Sequence, residues 1–123
     1  MFAVQNLTKR KAPAGQLNYR KIKEVVLGKK FELSLVFVSV ILAKKLNRKF
    51  RGKNKPANVL SFPLEKNAGE IFINLDTKKE AKKFGLTHKK YVDFLLIHGA
   101  LHLKGLDHGK KMEALEQKFL AKN

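Results

Sequence analysis

One segment of the sequence is hydrophobic on nearly every side when it is drawn as a helix. It follows Thr87 and includes the run YVDFLLIHGALHL, residues 91–103. A helix that is apolar all round is stable only when other elements cover it from several directions. We therefore expect this helix to be central and buried, with Thr87 as its N-cap and with Gly105 ending it in a left-handed turn.

The rest of the chain alternates between strand and helix patterns. β-Branched and aromatic runs predict strands at 2–7, 31–38, 57–62 and 69–75. Helical periodicity predicts further helices over 16–27, from Ser39 to Gly52, from Asp76 to Gly85, and over 110–121. Two strand–helix–strand crossovers make the first three strands parallel, and a hairpin adds the fourth as an antiparallel strand. The predicted fold class is α+β, with a mixed four-stranded sheet of three parallel strands and one antiparallel strand in a single domain, residues 1–123.

Finer expectations concern the ends and faces of these elements. Pro63 should close the third strand, because proline cannot donate to a sheet ladder. Asp76 is placed to cap the small helix that follows it. In the second helix an apolar stripe recurs every four residues, at Leu42, Leu46 and Phe50, and it predicts the buried face.

The length and the cysteine content narrow the class of protein. A chain of 123 residues can bury a real hydrophobic core without disulfides. The absence of cysteine excludes a disulfide framework, a thiolate zinc site and a cysteine nucleophile. Residues 1–15 are too polar for a signal peptide, and no apolar run approaches the roughly 20 residues that span a bilayer. We expect a cytoplasmic protein with no membrane partner.

The positive charge is large and uneven. The chain carries a net charge of +17, and residues 1–55 hold 15 Lys and Arg against two Glu. The densest stretch consists of Lys44, Lys45, Arg48, Lys49, Arg51, Lys53 and Lys55. Such a patch attracts polyanions, nucleic acid or acidic lipid among them. The alternative is a solvated lysine-rich face, but the imbalance exceeds what solubility needs.

Three of the four histidines lie within eleven residues, in HGALHLKGLDH. His98 and His102 are four residues apart, so on a helix their imidazoles share one face and can converge on one metal ion. Gly105 allows the chain to reverse and carry His108 back to the same ion. Three neutral imidazoles leave a fourth position open, which is typical of a catalytic zinc site. The alternative is a pair of satisfied core histidines. His88 is expected at the surface.

The spacing of the three histidines and Gly105 is that of the metzincin metalloproteases, with one change. The Glu that acts as general base in those enzymes is Gly99 here. Without a proton acceptor at that position, peptide hydrolysis by the usual route is disfavoured. Asp107 has two interpretations: it orients a ligand or accepts a proton near the metal, or it caps the last helix.

Three segments together resemble the YbeY family of endoribonucleases and ribosomal-RNA maturation factors. They are LNRKFRGKNKPANVLSFP, GEIFIN and HGALHLKGLDH, which fit the family in register between about Leu33 and His108. The resemblance implies an α+β fold with one zinc ion per chain, bound by His98, His102 and His108. This sequence departs from the family in its short C-terminal end and in Leu106, where an aromatic residue is common.

The resemblance also implies that Arg51, in FRGK, is the functionally important arginine beside the metal cleft. Its chemistry agrees, because a guanidinium is a planar bidentate donor suited to a phosphate and to the charge that develops during phosphoryl transfer. The alternative is one more solvated cation. Phe50 and Phe62 border the basic stretch but are expected in the core, and Asn58 and Ser61 are expected to be ordinary turn and strand residues.

The predicted function is metal-dependent cleavage of single-stranded RNA. As the resemblance implies, the substrate would be ribosomal RNA, in maturation and quality control, with the ribosome as partner and with a ribosomal protein as a further contact. The competing hypothesis is a ribosome-assembly factor without catalytic activity, in which the zinc is structural. A metal hydrolase of a small acidic substrate is a third hypothesis, which the broad basic face disfavours.

Overall fold

The computed structural model describes residues 1–122, in which strands and helices follow the predicted order. The elements are β1 (Phe2–Asn6), α1 (Gln16–Leu27), β2 (Glu32–Val38), α2 (Val40–Arg51), β3 (Val59–Glu65), β4 (Ala68–Asn74), α3 (Lys78–Lys83), α4 (His88–Leu103) and α5 (Lys110–Ala121). None of the described helices is both long and apolar enough to cross a membrane. The predicted α+β class is confirmed.

The four strands form one mixed sheet in the order β1-β2-β4-β3. β1 and β4 both pair with β2 in parallel, and β3 pairs with β4 antiparallel. The predicted count of three parallel strands and one antiparallel strand is confirmed, but the assignment of β4 as the antiparallel strand was wrong. β4 contains the run Ile71–Phe72–Ile73 and lies between β2 and β3, which leaves β3 at the edge with the reversed direction.

Pro63 does not end β3. The strand continues to Glu65, with an irregular register between Pro63 and Glu65. A proline is tolerated there because an edge strand has one side without a ladder partner.

The sheet is covered on both faces. Alternate residues of β2 point to opposite sides: Leu33, Leu35 and Phe37 join the main core, and Val36 and Val38 join a small cluster with Ala43 of α2. The main core also takes its residues from α1, α4 and α5. Nine residues of α4 are buried, so the helix that is apolar all round is central, as its sequence requires.

Helix α2 turns a different face to the sheet from the one predicted. Its buried residues are Ala43 and Asn47, and Leu42 and Leu46 are only half-buried. Phe50 is 56% exposed, so its assignment to the core was wrong. α2 meets the sheet through small Ala43, with Leu42 packed beside it. Asn47 is buried against the following loop instead, where its Nδ2 donates to the carbonyl of Lys55.

Asp76 does not cap α3. Thr77 occupies the N-cap position, and the Asp76 carboxylate instead accepts a hydrogen bond from the backbone N–H of Val40 and pairs with Arg10 at 3.0 Å. The carboxylate therefore stabilises the start of α2, where a negative charge is favoured by the helix dipole.

Gly99 is where α4 comes closest to the sheet. A Cβ atom at this position would lie 2.8 Å from Ser61 Oγ, 3.1 Å from Val59 Cγ2 and 3.2 Å from Ile71 Cγ2. Ser61 Oγ also donates a hydrogen bond of 2.9 Å to the carbonyl of Gly99. The position that carries the general base in metzincins therefore faces the sheet here, and any side chain there would displace its neighbours.

This contact predicts that Gly99→Ala destabilises the fold. Overpacking costs about 1–3 kcal/mol, and the better helix propensity of alanine returns about 1 kcal/mol. We expect a net fall of up to about 2 kcal/mol in the free energy of unfolding, measured by urea denaturation. In a Ser61→Ala background the substitution should cost less, since the closest contact is gone. A Gly99→Ala protein more stable than the wild type, or an equal effect of the substitution in the Ser61→Ala background, would show that this approach is not tight.

Candidate metal centre

Helix α4 supplies two of the three clustered histidines. Its first turn is fixed by Thr87, whose side chain accepts a hydrogen bond from the backbone N–H of Lys90. His98 and His102 lie one turn apart near the other end, with ring centroids 4.8 Å apart. The rigid, buried helix therefore fixes the spacing of these two rings.

The third histidine comes from the turn after the helix. Gly105 adopts a φ of +91°, a conformation that L side chains rarely adopt, and its N–H bonds to the carbonyl of His102. The chain reverses there and brings the ring of His108 to 5.0 Å from that of His98 and 5.1 Å from that of His102. One nitrogen from each ring lies within 4.8 Å of the others.

The chemistry of this donor set suits a zinc ion. Burial lowers the pKa of His102, and the adjacent His98 and His108 lower it further. A lowered pKa keeps the imidazole neutral, which is the form that binds metal. Three imidazoles without a thiolate match the ligands of zinc sites that keep one position open. The group of His98, His102 and His108 could therefore hold a metal ion.

Glu116 is the site residue that sequence reasoning missed. Its carboxylate is buried on α5 and forms a hydrogen bond with Nδ1 of His98. A carboxylate on one ring nitrogen fixes the orientation of the imidazole and leaves Nε2 for a metal. The signal was present in the sequence, because Glu116 interrupts the apolar side formed by Met112, Leu115 and Phe119, but nothing local connects it to His98.

Two cavities meet at the histidines. One, of about 810 Å³, extends past Phe94 and Tyr91 to Phe84. The other, of about 400 Å³, extends along β3 past Ser61, Phe62 and Pro63. His98, His108, Val59 and Arg51 line both, so the candidate metal centre lies at the junction of an open cleft.

Arg51 stands at this junction as the last residue of α2. Its side chain is exposed, and within residues 1–122 it has no hydrogen bond or ion pair. Lys53 and Lys55 follow it in the loop to β3 and line the larger cavity. The structure thus brings the predicted arginine and the predicted histidines to one cleft, with a guanidinium free to bind an anion.

Comparison with known proteins agrees with this arrangement. Residues 5–123 match the sequence model of the family described as Endoribonuclease YbeY. The chain belongs to the YbeY family. The solution structure of TM1509 from Thermotoga maritima has a TM-score of 0.68 and 30% identity to this chain, and the match covers 98% of this chain and 87% of that one.

Curated relatives carry the same family name. An endoribonuclease YbeY from Geobacter sulfurreducens is 34% identical over 98% of this chain and 89% of its own. The corresponding protein from Polynucleobacter asymbioticus is 38% identical over 90% of this chain and 84% of its own. That from Ehrlichia ruminantium is 41% identical over 73% of this chain, and this match spans 64% of its length. The predicted resemblance to the YbeY family is confirmed.

Two further polar residues near the cleft make hydrogen bonds to α4. Asn58 donates a hydrogen bond of 2.9 Å to the hydroxyl of Tyr91, and Ser61 binds Gly99, so both hold α4 to the β3 segment. Asp107 is exposed and does not cap α5, because Gly109 occupies the N-cap. His88 is half-buried against Thr77 rather than fully at the surface.

The Glu116 contact predicts an effect on metal affinity. Glu116→Gln keeps the shape but removes the charge that polarises His98, and such changes typically cost about 10- to 100-fold in affinity. Competition for Zn²⁺ with a chromophoric chelator measures it. Glu113→Gln removes the same charge from an exposed position one turn earlier in α5 and should leave the affinity within about twofold. Equal affinities for the two variants would contradict the assignment.

Proposed function

We propose that this chain is a zinc-dependent endoribonuclease that cleaves single-stranded RNA, and that its substrate is ribosomal RNA during maturation and quality control. The observation that carries the proposal is the position of three clustered histidines and an unpaired arginine at the junction of two cavities, in a member of the YbeY family. The proposal includes a single domain over residues 1–123 and the ribosome as a cytoplasmic partner. Contact with a ribosomal protein belongs to the same proposal.

The three imidazoles would hold the metal. The proposed ligands are His98, His102 and His108. Glu116 orients the ring of His98, and His102 has a lowered pKa. A zinc ion held there would supply Lewis acidity toward a phosphoryl oxygen or a water. The protein's own part is to hold the two rings on α4 rigidly, which the burial of that helix achieves, and to favour the neutral form of His102.

Arg51 is the proposed catalytic residue. Its guanidinium can donate two parallel hydrogen bonds to a phosphate and so bind the negative charge that increases during phosphodiester cleavage. Because it shares both cavities with His98 and His108, a phosphate at the junction lies within the space that all three line. The guanidinium is already exposed to that space, and within residues 1–122 no ion pair has to break.

The shape of the cleft supports internal cleavage of a strand. A cavity that ended at the histidines would admit only a chain end. Here one arm leaves the junction toward Phe84 and the other leaves along β3 toward Pro63, so a single strand can pass through with nucleotides on both sides of the scissile phosphate. Lys53 and Lys55 add positive charge beside the path, which attracts the backbone without reading its sequence.

Metal content and cleavage test the proposal together. We expect about one zinc per chain by elemental analysis of the purified protein, and loss of both zinc and single-strand RNA cleavage in His102→Ala. His88→Ala removes a histidine outside the cluster and should retain both. A wild-type protein purified without zinc from zinc-replete medium, or an active His102→Ala variant, would overturn the metal assignment.

Variants of Arg51 distinguish a role in catalysis from a role in RNA docking. Arg51→Ala should keep zinc and fold but lose roughly 100- to 1000-fold in the single-turnover rate at saturating enzyme, the scale for removing one preorganised donor. Arg51→Lys should recover little, because an ammonium cannot reproduce the bidentate geometry.

A near-normal rate for Arg51→Ala at saturation would remove Arg51 from catalysis. Loss of binding alone, overcome at high enzyme, would mean that the arginine only docks RNA. That result, with zinc retained, would favour the ribosome-assembly factor whose zinc is structural.

A further inference from the structure

One wall of the larger cavity is a continuous row of aromatic rings. It starts at His98 and runs through Phe94 and Tyr91 to Phe84, with successive ring centroids 6.0, 6.1 and 5.8 Å apart. Three of these rings come from one face of α4, and Phe84 ends helix α3. The row therefore connects the candidate metal centre to the far end of the cavity.

Phe84 is the exposed end of this row. Its ring lies nearly parallel to that of Tyr91, at 14°, and is 68% exposed, whereas Tyr91 is 3% exposed. A parallel ring pair that is covered on one side presents the other side of Phe84 as a flat apolar face in solvent. The stacking contact with Tyr91, whose hydroxyl is held by Asn58, supports the Phe84 ring from within.

Several residues that line the same cavity carry positive charge. Arg51, Lys53 and Lys55 line it and are exposed. The carboxylates that also line it are Glu113 and Glu116, and Glu116 is already bonded to His98. A flat aromatic face and several cations in one cavity are the combination that binds single-stranded nucleic acid, in which bases stack on rings while phosphates meet Lys and Arg. An apolar peptide would use the ring but not the three cations.

We infer that Phe84 is a base-stacking subsite, which takes a nucleobase of the RNA strand several rings away from the scissile phosphate. This inference rests on the proposed function, since it takes single-stranded RNA as the ligand of the cleft. The base that stacks there lies beyond the nucleotide at the junction, because the rings of Tyr91 and Phe94 separate Phe84 from His98. Every base has an aromatic face, so the subsite adds affinity and sets how the strand lies without selecting a sequence.

Fluorescence anisotropy with a labelled single-stranded RNA, read directly after mixing and before cleavage, tests the subsite, and a gel of each sample shows which points still hold intact RNA. Phe84→Ala should weaken binding by roughly 5- to 100-fold, the range for one base–aromatic stack, and Phe84→Trp should bind at least as well as the wild type. The slope of log affinity against log salt should not change, because no phosphate contact is lost.

Phe50→Ala is the matched control. Phe50 is an aromatic residue of similar exposure, 56%, that lies outside both cavities, and its removal should leave affinity within about twofold. Circular dichroism confirms that both variants fold. An equal loss in Phe50→Ala, an unchanged affinity in Phe84→Ala, or a flatter salt slope in Phe84→Ala would each overturn the inference.

Oligonucleotides with one abasic position locate the stacked base. In the wild type, affinity should fall at one position by the same factor as Phe84→Ala causes, and the variant should lose nothing further at that position. If the losses from Phe84→Ala and from the abasic position simply add at every position, the inference is overturned. A wild type that binds no single-stranded RNA would overturn it as well. RNA that is bound in this manner but not cleaved would refute the nuclease proposal and leave the subsite standing. If cleavage is normal but Phe84→Ala binds RNA as tightly as the wild type, the subsite is refuted and the nuclease proposal stands.

Discussion

The contact between α4 and the sheet at Gly99 determines how the site is built. At this residue the helix backbone lies so close to β3 and β4 that Val59, Ser61 and Ile71 occupy the space of any side chain. Burial of the nearly all-apolar helix drives the approach, and glycine permits it. His98 directly precedes this contact and His102 follows it by three residues, so both rings are held relative to β3. The same strand begins at Val59, which lines both arms of the cleft.

The order of the strands follows from the same packing. β4 is buried on the face that α4 covers, through Ile71 and Ile73, and its position between β2 and β3 moves β3 to the edge. At the edge, β3 borders an open cavity rather than another strand. The end of α2 and the loop after it, which contain Arg51 and Lys53, lie beside that cavity. An antiparallel edge strand and a basic loop thus meet the histidines because β4, and not β3, occupies the interior of the sheet.

Local signals in the sequence were sufficient for the elements and for the histidine cluster. The i, i+4 spacing of His98 and His102 and the glycine before His108 define a candidate metal site without reference to the rest of the fold. The predictions that were wrong concern contacts between elements that are distant in the sequence. The sequence allows either hairpin strand to pair with β2, and Asp76 can cap one helix or bind the start of another. The face that α2 buries was decided by the small Ala43, and not by the larger Leu46 and Phe50.

Glu116 illustrates why the outer part of a site is harder to predict than its ligands. Nothing in the sequence between 98 and 116 relates the two residues, and a glutamate beside Met112 and Leu120 is by itself an anomaly of the helix. Only the packing of α5 on α4 makes it a partner of His98, and its burial is then compensated by the hydrogen bond to Nδ1. The same packing closes one side of the larger cavity, since Glu113, Gln117 and Leu120 line it. Helix α5 therefore orients His98 in the candidate metal centre and shapes the arm of the cleft that leads away from it.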